Sequence, residues 1–301
     1  MSLLDRLIGW SLPVVPRPIV RHFSEPYIAG ETAEQALRRV RPLRDAGAMV
    51  TLDILGEFTT APAEADRNAD AYLKLLRRIQ QEGLSETNVS IKLTALGLLL
   101  DPEACYQRIL EVTQLAAELD NSVRIDMEDA PCTDETLRTY ERLRRTMPAH
   151  IGVVLQARLR RTLSDIDVLT TQPASFRICK GIYLEPEEIA HTGFDEIREN
   201  FVACTRRMFE RGAKVAIATH DEWLVERALE LIREFDVSRD RYEFQMLLGV
   251  RERLRNNILA DGHRLRVYVP YGEQWYAYSV RRLRENPQIA GHAFRSMFSR
   301  D

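Results

Sequence analysis

Cysteine is scarce in this sequence, and the few cysteines lie far apart. The chain has 301 residues and four cysteines, which are Cys105, Cys132, Cys179 and Cys204. None of them shows the CxxC spacing of a zinc ribbon or of a dithiol redox site. A disulfide framework needs a denser set of cysteines, so the sequence predicts no such framework and a reducing compartment.

Long apolar runs and a strong charge imbalance are also missing. No run reaches the roughly 18 apolar residues that a membrane-spanning helix needs. The apolar N-terminal segment is interrupted by Asp5 and Arg6 and broken by Pro13 and Pro16, and no small-residue cleavage site follows. We therefore expect a short amphipathic helix and an extended arm there rather than a signal peptide. The net charge of -3 provides no global basic field for nucleic acid.

Common nucleotide and nucleophile motifs are absent from the sequence. The chain contains no GxGxxG, no GxxxxGK[ST] and no GxSxG, which disfavours a Rossmann site, a P-loop and a serine nucleophile elbow. The HxH and HExxH spacings of metal sites are missing as well. We therefore predict no metal and disfavour metal-dependent hydrolysis.

Short β-like runs alternate with long amphipathic helices along most of the chain. The candidate strands are residues 48–55, 88–96, 122–128, 151–157, 176–181, 213–219, 242–247 and 264–270. Candidate helices between them include residues 64–83, 134–146 and 195–212. In the last of these, the apolar residues recur at helical spacing and predict one buried stripe, formed by Ile197, Phe201, Cys204 and Met208.

Eight strands that alternate with helices over about 250 residues predict a (β/α)8 TIM barrel, a fold of the α/β class. We assign residues 46–301 to the barrel as the catalytic domain and residues 1–45 to a short helical N-terminal extension. The structural competitor is a doubly wound open sheet, which usually carries the glycine-rich first turn that is missing here. In a barrel, functional residues lie at the carboxyl ends of the strands and in the loops that follow.

Charged residues occur where two neighbouring strands are expected to face the barrel lumen. In the strand 88–96, Lys92 alternates with apolar residues that would face the helices, so its side chain should point into the lumen. Asp126 holds the same kind of position in the strand 122–128, and we expect it to face Lys92. A buried lysine needs a carboxylate neighbour to stay charged. A purely structural ion pair is the alternative interpretation.

Polar and cationic residues also collect near the ends of the later strands. In chain order they are Gln156, Arg177, Lys180, Gly181, Tyr183, Thr219 and His220. Arg281 and Arg282 follow the last strand on a helix, with Tyr278 about one turn earlier. This cation-rich set suits an anionic substrate and an anionic or phosphorylated cofactor. Because no serine, cysteine or metal-ligand cluster competes as the reactive group, the chemistry must come from a lysine imine or from a cofactor.

Eight segments of the sequence together resemble a known family. They are DILGE (53–57), SIKLTALG (90–97), RIDMEDAP (124–131), LQARLRR (155–161), RICKGIY (177–183), ATHD (218–221), YEFQMLLGV (242–250) and YVPYGEQWYAYSVRRL (268–283). In this order, from about residue 29 to residue 287, the chain resembles proline dehydrogenase in its short monofunctional bacterial form.

The resemblance implies a distorted (β/α)8 barrel that holds FAD. Such a protein oxidises L-proline to 1-pyrroline-5-carboxylate by hydride transfer to the flavin and passes the electrons to a membrane quinone. This would be the first step of proline catabolism to glutamate, and a separate 1-pyrroline-5-carboxylate dehydrogenase would act next. Quinone use implies a cytoplasmic protein with peripheral contact at the inner face of the cell membrane.

The family's functional positions carry over onto residues of this chain. Those expected to bind substrate are Lys92, Leu247, Tyr268, Tyr278, Arg281 and Arg282. Those expected to bind the cofactor are Met127, Gln156, Arg177, Lys180, Gly181, Tyr183, Thr219 and His220. Asp126 matches an active-site aspartate, and Arg177 would stabilise the reduced flavin, so the resemblance implies that both are catalytic. Glu57 is expected to act as a gate by pairing with Arg281, with a solvated loop carboxylate as the alternative.

Two residues depart from the family pattern, and other functions stay open. Arg158 stands where an aromatic residue is expected, and Asp221 stands where asparagine is commoner, so cofactor contacts could differ. Hydroxyproline is an alternative substrate. A lysine-imine aldolase with Lys92 or Lys180 as nucleophile is an alternative enzyme on the same barrel. A silent barrel that binds amino acids or acts as a scaffold is the alternative from another class.

Overall fold

Eight parallel strands form a closed barrel in the computed structural model, which describes residues 20–21, 24–276 and 278–280. Strands β1 to β8 span Met49–Ile54, Thr87–Ile91, Val123–Ile125, Ile151–Gln156, Ser175–Cys179, Lys214–Ala218, Tyr242–Leu247 and Leu265–Tyr271. Neighbours in the chain pair throughout, and β8 closes the barrel by pairing in parallel with β1. The predicted (β/α)8 barrel is therefore confirmed, and the open-sheet alternative is wrong.

Helices surround the barrel in the order that the alternation predicts. In the described part of the chain, helices α1 to α8 span Ala33–Asp45, Pro62–Gln81, Pro102–Glu118, Ala130–Arg144, Thr162–Leu169, Phe194–Glu210, Glu222–Glu234 and Glu252–Ala260. Helix α1 precedes β1, and each later helix connects two consecutive strands. The predicted apolar stripe of α6 is buried, with Ile197, Phe201, Cys204 and Met208 all at most 5% exposed.

Helix α4 begins four residues before its predicted start at Asp134. It starts at Ala130, with Pro131 in its first turn and Asp129 at the N-cap position. Proline is favoured in the first turn because its fixed φ suits the helix and its missing N–H would have no partner there. In the chain, α4 therefore begins directly after the short segment that follows β3.

The strands carry their apolar residues toward the helices and leave polar side chains in the lumen. Val89 and Ile91 of β2 are fully buried against the helical layer. At the amino end of the barrel, Arg266 donates to the Glu243 carboxylate at 2.8 Å, and Arg124 donates to the Ser175 carbonyl at 2.8 Å. These contacts narrow the amino end of the lumen, where a cavity of about 190 Å3 remains, whereas a cavity of about 600 Å3 opens at the other end.

Strand β2 is shorter than predicted, because the backbone turns directly after Lys92. The strand ends at Ile91, and residues Leu93–Leu96 form a 3-10 turn instead of continuing to residue 96. The Thr94 backbone N–H donates to one oxygen of the Glu128 carboxylate at 3.0 Å, and the Thr94 hydroxyl donates to the other. This double contact draws the chain away from the sheet, while Lys92 keeps an extended backbone that aims its side chain into the lumen.

The strand β3 also ends early, at Ile125 rather than at residue 128. The alternation of apolar and polar residues continues beyond Ile125, although the pairing of the strands does not. Asp126 keeps one further backbone contact, since its N–H donates to the Ile91 carbonyl at 2.9 Å. The residues just past the pairing are therefore held in place without belonging to the sheet.

The N-terminal extension is described only in part. Helix α1 lies within it and carries a capping box in which Thr32 and Gln35 satisfy each other's backbone N–H groups. Residues 1–19, which include the predicted amphipathic helix, lie outside the described residues. The boundary between residues 45 and 46 stays a prediction.

All four cysteines are free thiols in the described residues. None of the helices in the described part of the chain is long and apolar enough to cross a bilayer.

The buried Glu128 generates a prediction about stability. Burial raises the pKa of Glu128 to about 7, although the hydrogen bonds from Thr94 oppose this. The raised pKa means that Glu128 favours the folded state below about pH 4.5, and that this contribution is lost as the pH rises through 7. Glu128→Gln should therefore gain about 2–4 kcal/mol relative to wild type between pH 5 and pH 8, measured by urea unfolding. Glu111→Gln, an exposed change on α3, is the control. A difference between Glu128→Gln and wild type that does not vary with pH would contradict the prediction.

Candidate active site

A cavity of about 600 Å3 opens at the carboxyl ends of the barrel strands. This is the end at which barrels place their functional residues. Most of the residues selected from the sequence line it, namely Lys92, Asp126, Met127, Gln156, Arg177, Lys180, Gly181, Tyr183, Thr219, His220, Leu247, Tyr268 and Tyr278. The fold therefore brings together residues that are up to 186 positions apart in the chain.

Three of the selected residues are not placed in the cavity. Arg281 and Arg282 lie outside the described residues. Glu57 lies half-buried in the loop after β1 and is not among the described residues that line the cavity. The expected pairing of Glu57 with Arg281 therefore stays a prediction.

Asp126 is the centre of a buried network of charges. Arg177 donates to its Oδ1 atom at 2.6 Å, and the Ser90 hydroxyl donates to the same oxygen at 2.6 Å. The Tyr268 hydroxyl donates to its Oδ2 atom at 2.7 Å. Burial alone would raise the pKa of Asp126, but Arg177 and Lys92 lower it below its ordinary value. Asp126 is therefore ionised at neutral pH and has two strong partners on one oxygen.

Lys92 faces Asp126, as expected, but a second carboxylate lies closer to it. Its Nζ atom is 3.9 Å from Asp126 Oδ2 and donates to Asp53 Oδ2 at 2.8 Å. Burial alone would lower the pKa of Lys92, but Asp53 and Asp126 raise it above its ordinary value. Lys92 is therefore a charged lysine held between two carboxylates.

Asp53 is a further candidate residue of the site, and it is not among the residues predicted from the sequence. It is fully buried in β1, beside Ser90 of the neighbouring strand. The Tyr72 hydroxyl lies 3.5 Å from its Oδ1 atom. Burial raises the pKa of Asp53, and the contact with Lys92 opposes that effect. A single aspartate near the end of an apolar strand was the signal that could have identified it.

Arg177 has a further partner besides Asp126 and Ser90, and it has one nitrogen without a partner among the described residues. Its Nε atom donates to the Gln245 side-chain oxygen, a residue that sequence reasoning also missed. Its Nη2 atom is buried and has no hydrogen-bond partner among the described residues. A buried guanidinium nitrogen without a partner costs stability unless a ligand occupies it. This nitrogen therefore marks a position at which the cavity would accept a polar ligand atom.

Gly181 and Gln156 form a tight wall on the other side of the cavity. Gly181 has a φ of +92°, and a Cβ atom there would lie 2.5 Å from the Gln156 side-chain oxygen. The Gln156 side-chain nitrogen donates to the Glu128 carbonyl at 2.7 Å. Its oxygen is buried without a hydrogen-bond partner among the described residues. The glycine is thus required by both the backbone conformation and the close approach.

At the rim of the cavity, one carboxylate binds two cations. Lys180 donates to Asp221 Oδ2 at 2.6 Å, and Arg198 of α6 donates to both carboxylate oxygens at 2.7 Å. Burial would raise the pKa of Asp221, but these hydrogen bonds lower it to about 2. Arg198 is not among the residues predicted from the sequence, because the helical periodicity of residues 195–212 identifies an apolar stripe and not the polar residues beside it.

His220 and Thr219 have structural contacts at the end of β6. The backbone N–H of Leu247 donates to His220 Nε2 at 2.8 Å. The Asp221 N–H donates to the Thr219 hydroxyl at 3.1 Å. These bonds fix the loop that carries Asp221. They also hold this loop against the end of β7, where the apolar side chain of Leu247 lies. Within the described residues, no group of three or more histidine, cysteine, aspartate or glutamate side chains could hold a metal ion.

Known proteins are similar in sequence to this chain over most of its length. Proline dehydrogenase 2 of Bacillus subtilis is 34% identical over 90% of this chain and 88% of its own length. Proline dehydrogenase of Deinococcus radiodurans is 33% identical over 92% of this chain and 90% of its own length.

A solved structure shows the same fold. Proline utilization A from Bdellovibrio bacteriovorus, inactivated by N-propargylglycine, matches 87% of this chain with a TM-score of 0.81 and 26% identity. This chain covers 32% of the length of that protein, so it corresponds to about a third of it. The family model described as proline dehydrogenase matches residues 36–294. The chain therefore belongs to the proline dehydrogenase family.

Proposed function

We propose that this protein oxidises L-proline to 1-pyrroline-5-carboxylate with FAD as the hydride acceptor. The observation that carries the proposal is the buried network of Lys92, Asp126 and Arg177 at the inner end of a cavity of about 600 Å3. The network places the Lys92 ammonium, which Asp53 already pairs, where it can contribute one of the contacts to a small carboxylate, and it leaves one guanidinium nitrogen for a cofactor. Family membership supports the same reaction.

The cavity walls fit a flavin nucleotide. Arg177 Nη2 is a donor and the Gln156 side-chain oxygen is an acceptor, and neither has a partner among the described residues, which leaves both for the polar edge of a flavin ring. Gly181 leaves room beside Gln156 for close approach of a ligand. Lys180 and Arg198 at the rim suit the phosphates. When bound there, FAD would supply the acceptor for the hydride.

The residues of the inner cavity can orient a small imino acid. Lys92 presents its charged amine to the substrate carboxylate, and Leu247 provides an apolar wall for the ring. Tyr268 is fixed by its hydrogen bond to Asp126, and Tyr278 lines the same space. Arg281 and Arg282 are proposed to complete the carboxylate site. Orientation by such contacts contributes to the rate because the reacting carbon is held in one position.

The described network does not provide an obvious base for the substrate amine. Asp126 is held ionised by Arg177 and has hydrogen bonds to both oxygens, which weakens it as a proton acceptor. Lys92 is held protonated by its carboxylate neighbours. The amine must be neutral when the hydride leaves its neighbouring carbon, so solvent is proposed to take its proton. The activity should then rise with pH as the bound substrate loses this proton.

The same charges disfavour an aldolase. An imine-forming lysine must lose its proton to act as a nucleophile. Lys92 is stabilised in its charged form by Asp53 and Asp126, and Lys180 is paired with Asp221 at 2.6 Å. A catalytically silent barrel is disfavoured because the described residues of the cavity include the polar side chains that the proposed reaction uses. Tyr278 is the residue expected to disfavour the added hydroxyl of hydroxyproline.

The electron acceptor and the cellular setting belong to the same proposal. The resemblance supports a membrane quinone as acceptor, which would place a cytoplasmic protein in peripheral contact with the inner face of the membrane. It also supports the first step of proline catabolism to glutamate as the pathway role. A separate 1-pyrroline-5-carboxylate dehydrogenase would then consume the product.

The first test is an absorption spectrum of the purified protein before and after anaerobic addition of L-proline. We expect a flavin spectrum that bleaches with L-proline and is unchanged by D-proline, because the carboxylate contacts admit one enantiomer. Hydroxyproline in a parallel sample tests the alternative substrate. Covalent trapping by borohydride without bound flavin would instead support the aldolase.

A second test addresses the substrate carboxylate. Lys92→Met should lower kcat/KM for L-proline by about 10- to 100-fold, which is the range expected for losing a hydrogen bond between charged groups. The variant should still bind FAD, since Lys92 is not proposed as a cofactor contact. Lys74→Met, an exposed lysine on α2, is the matched control. Unchanged kinetics for Lys92→Met would remove Lys92 from the substrate site.

A third test concerns the role of Asp53 in holding Lys92 charged. Asp53→Asn should lower the free energy of unfolding by about 3 kcal/mol, because it leaves a buried ammonium with one distant carboxylate. The double variant Asp53→Asn with Lys92→Met should recover part of this loss, since the unpaired charge is gone. Urea unfolding of the two single variants and the double variant measures the coupling. Strictly additive effects would contradict the pairing.

A further inference from the structure

Two cationic side chains at the rim of the cavity are both paired with the same carboxylate. Asp221 follows the end of β6 and is contacted by Lys180 Nζ at 2.6 Å and by Arg198 Nε and Nη2 at 2.7 Å. The Asp221 side chain is 11% exposed, while those of Lys180 and Arg198 are 31% and 24% exposed. The carboxylate is therefore the more deeply placed member of this cluster.

An aromatic side chain fixes both cations from another direction. The centroid of the Phe194 ring lies 4.7 Å from Lys180 Nζ and 4.2 Å from Arg198 Cζ. The Arg198 guanidinium also lies 5.2 Å from the centroid of the Trp223 ring. Cation–π contacts of this kind hold a cation without neutralising its charge. The two cations are thus oriented by aromatic rings and neutralised by Asp221.

The position of Asp221 has a direct consequence for any phosphate bound at the rim. Both cations donate to Asp221 within 2.7 Å, so a phosphate that also contacts them must approach the carboxylate closely. Like charges at such separations repel, and a partly buried site screens them less than open water does. Asp221 remains charged at neutral pH, because its pKa is lowered to about 2. The repulsion is therefore present in every ordinary buffer.

We propose that Asp221 is an affinity-setting residue that competes with the cofactor's diphosphate for Lys180 and Arg198 and so weakens FAD binding. This inference rests on the proposed function, because it assumes that FAD occupies the cavity. The carboxylate keeps the two cations in place when the cofactor is absent and opposes the phosphates when it is present. The protein then exchanges FAD more readily than the same cavity would with a neutral residue at position 221.

The test is the variant Asp221→Asn, which keeps the size of the side chain and an acceptor oxygen for both cations. The dissociation constant for FAD should fall about tenfold, because one repulsive charge near the phosphates is removed. ADP, which carries the diphosphate without the flavin, should show the same direction of change. Riboflavin, which has no phosphate, should bind the variant and the wild type equally. Fluorescence titration of the flavin-depleted full-length chains measures the two flavins, and calorimetry measures ADP.

The matched control is Asp195→Asn. Asp195 lies on the same helix as Arg198 and is 3.9 Å from its Nη1 atom, but its side chain is 84% exposed. Solvent screens this pair, so the control should leave the dissociation constant for FAD unchanged. The tightening by Asp221→Asn should also shrink as salt is added, since screening reduces the repulsion in the wild type.

Each outcome decides between the inference and the proposed function. Tighter FAD and ADP binding by Asp221→Asn, with equal riboflavin binding, supports the inference. Equal or weaker FAD binding by a variant that still binds riboflavin like the wild type overturns the inference and leaves the proposed function intact. A variant that loses riboflavin binding also overturns it, because Asp221 would then be needed to build the cavity. A wild-type chain that binds no FAD overturns the proposed function together with the inference.

Discussion

Burial of charge in the barrel lumen is the constraint on which the candidate site depends. Four ionised side chains alternate in sign there, in the order Asp53, Lys92, Asp126 and Arg177. Removing such groups from water costs several kcal/mol each, so each must meet an opposite charge or strong hydrogen bonds. Tyr268 and other polar neighbours supply the remaining hydrogen bonds to the carboxylates. Closure of the barrel makes this possible, because the four residues come from different strands or from the residues directly after them.

The same network divides the cavity into two regions with different electrostatics. The inner region is neutral in the described residues, since two carboxylates balance two cations. The rim is lined by Lys180, Arg198 and Arg251 and by the Asp221 carboxylate, while Arg251 is paired with Glu222 at 3.2 Å. A small zwitterion suits the neutral region, whereas a nucleotide with phosphates suits the rim. Asp221 reduces the excess of positive charge at the rim. Its effect on the binding of a flavin nucleotide is therefore expected at the phosphates and not at the flavin ring.

Local sequence patterns predict the strands well and their ends poorly. The alternation that identifies the strand 88–96 continues through Thr94, but the backbone leaves the sheet at Lys92 because Glu128 captures Thr94. That contact joins residues 34 positions apart, so no local pattern encodes it. Asp53 was missed for a related reason: its partner Lys92 is known only once the pairing of β1 with β2 is known. Positions at strand ends, such as Arg177, could be selected because the barrel fold predicts where they lie.

The neutrality of the inner network explains why Lys92 cannot bind a substrate carboxylate alone. Asp53 already accepts a hydrogen bond from Lys92 at 2.8 Å, and Asp126 is already paired with Arg177 at 2.6 Å. A substrate carboxylate would therefore add one negative charge to a region that has no cation to spare. Burying that charge without a new partner would be unfavourable. The resemblance implies that Arg281 and Arg282 bind the substrate carboxylate. A pair of guanidinium groups is the kind of partner that the described charges require.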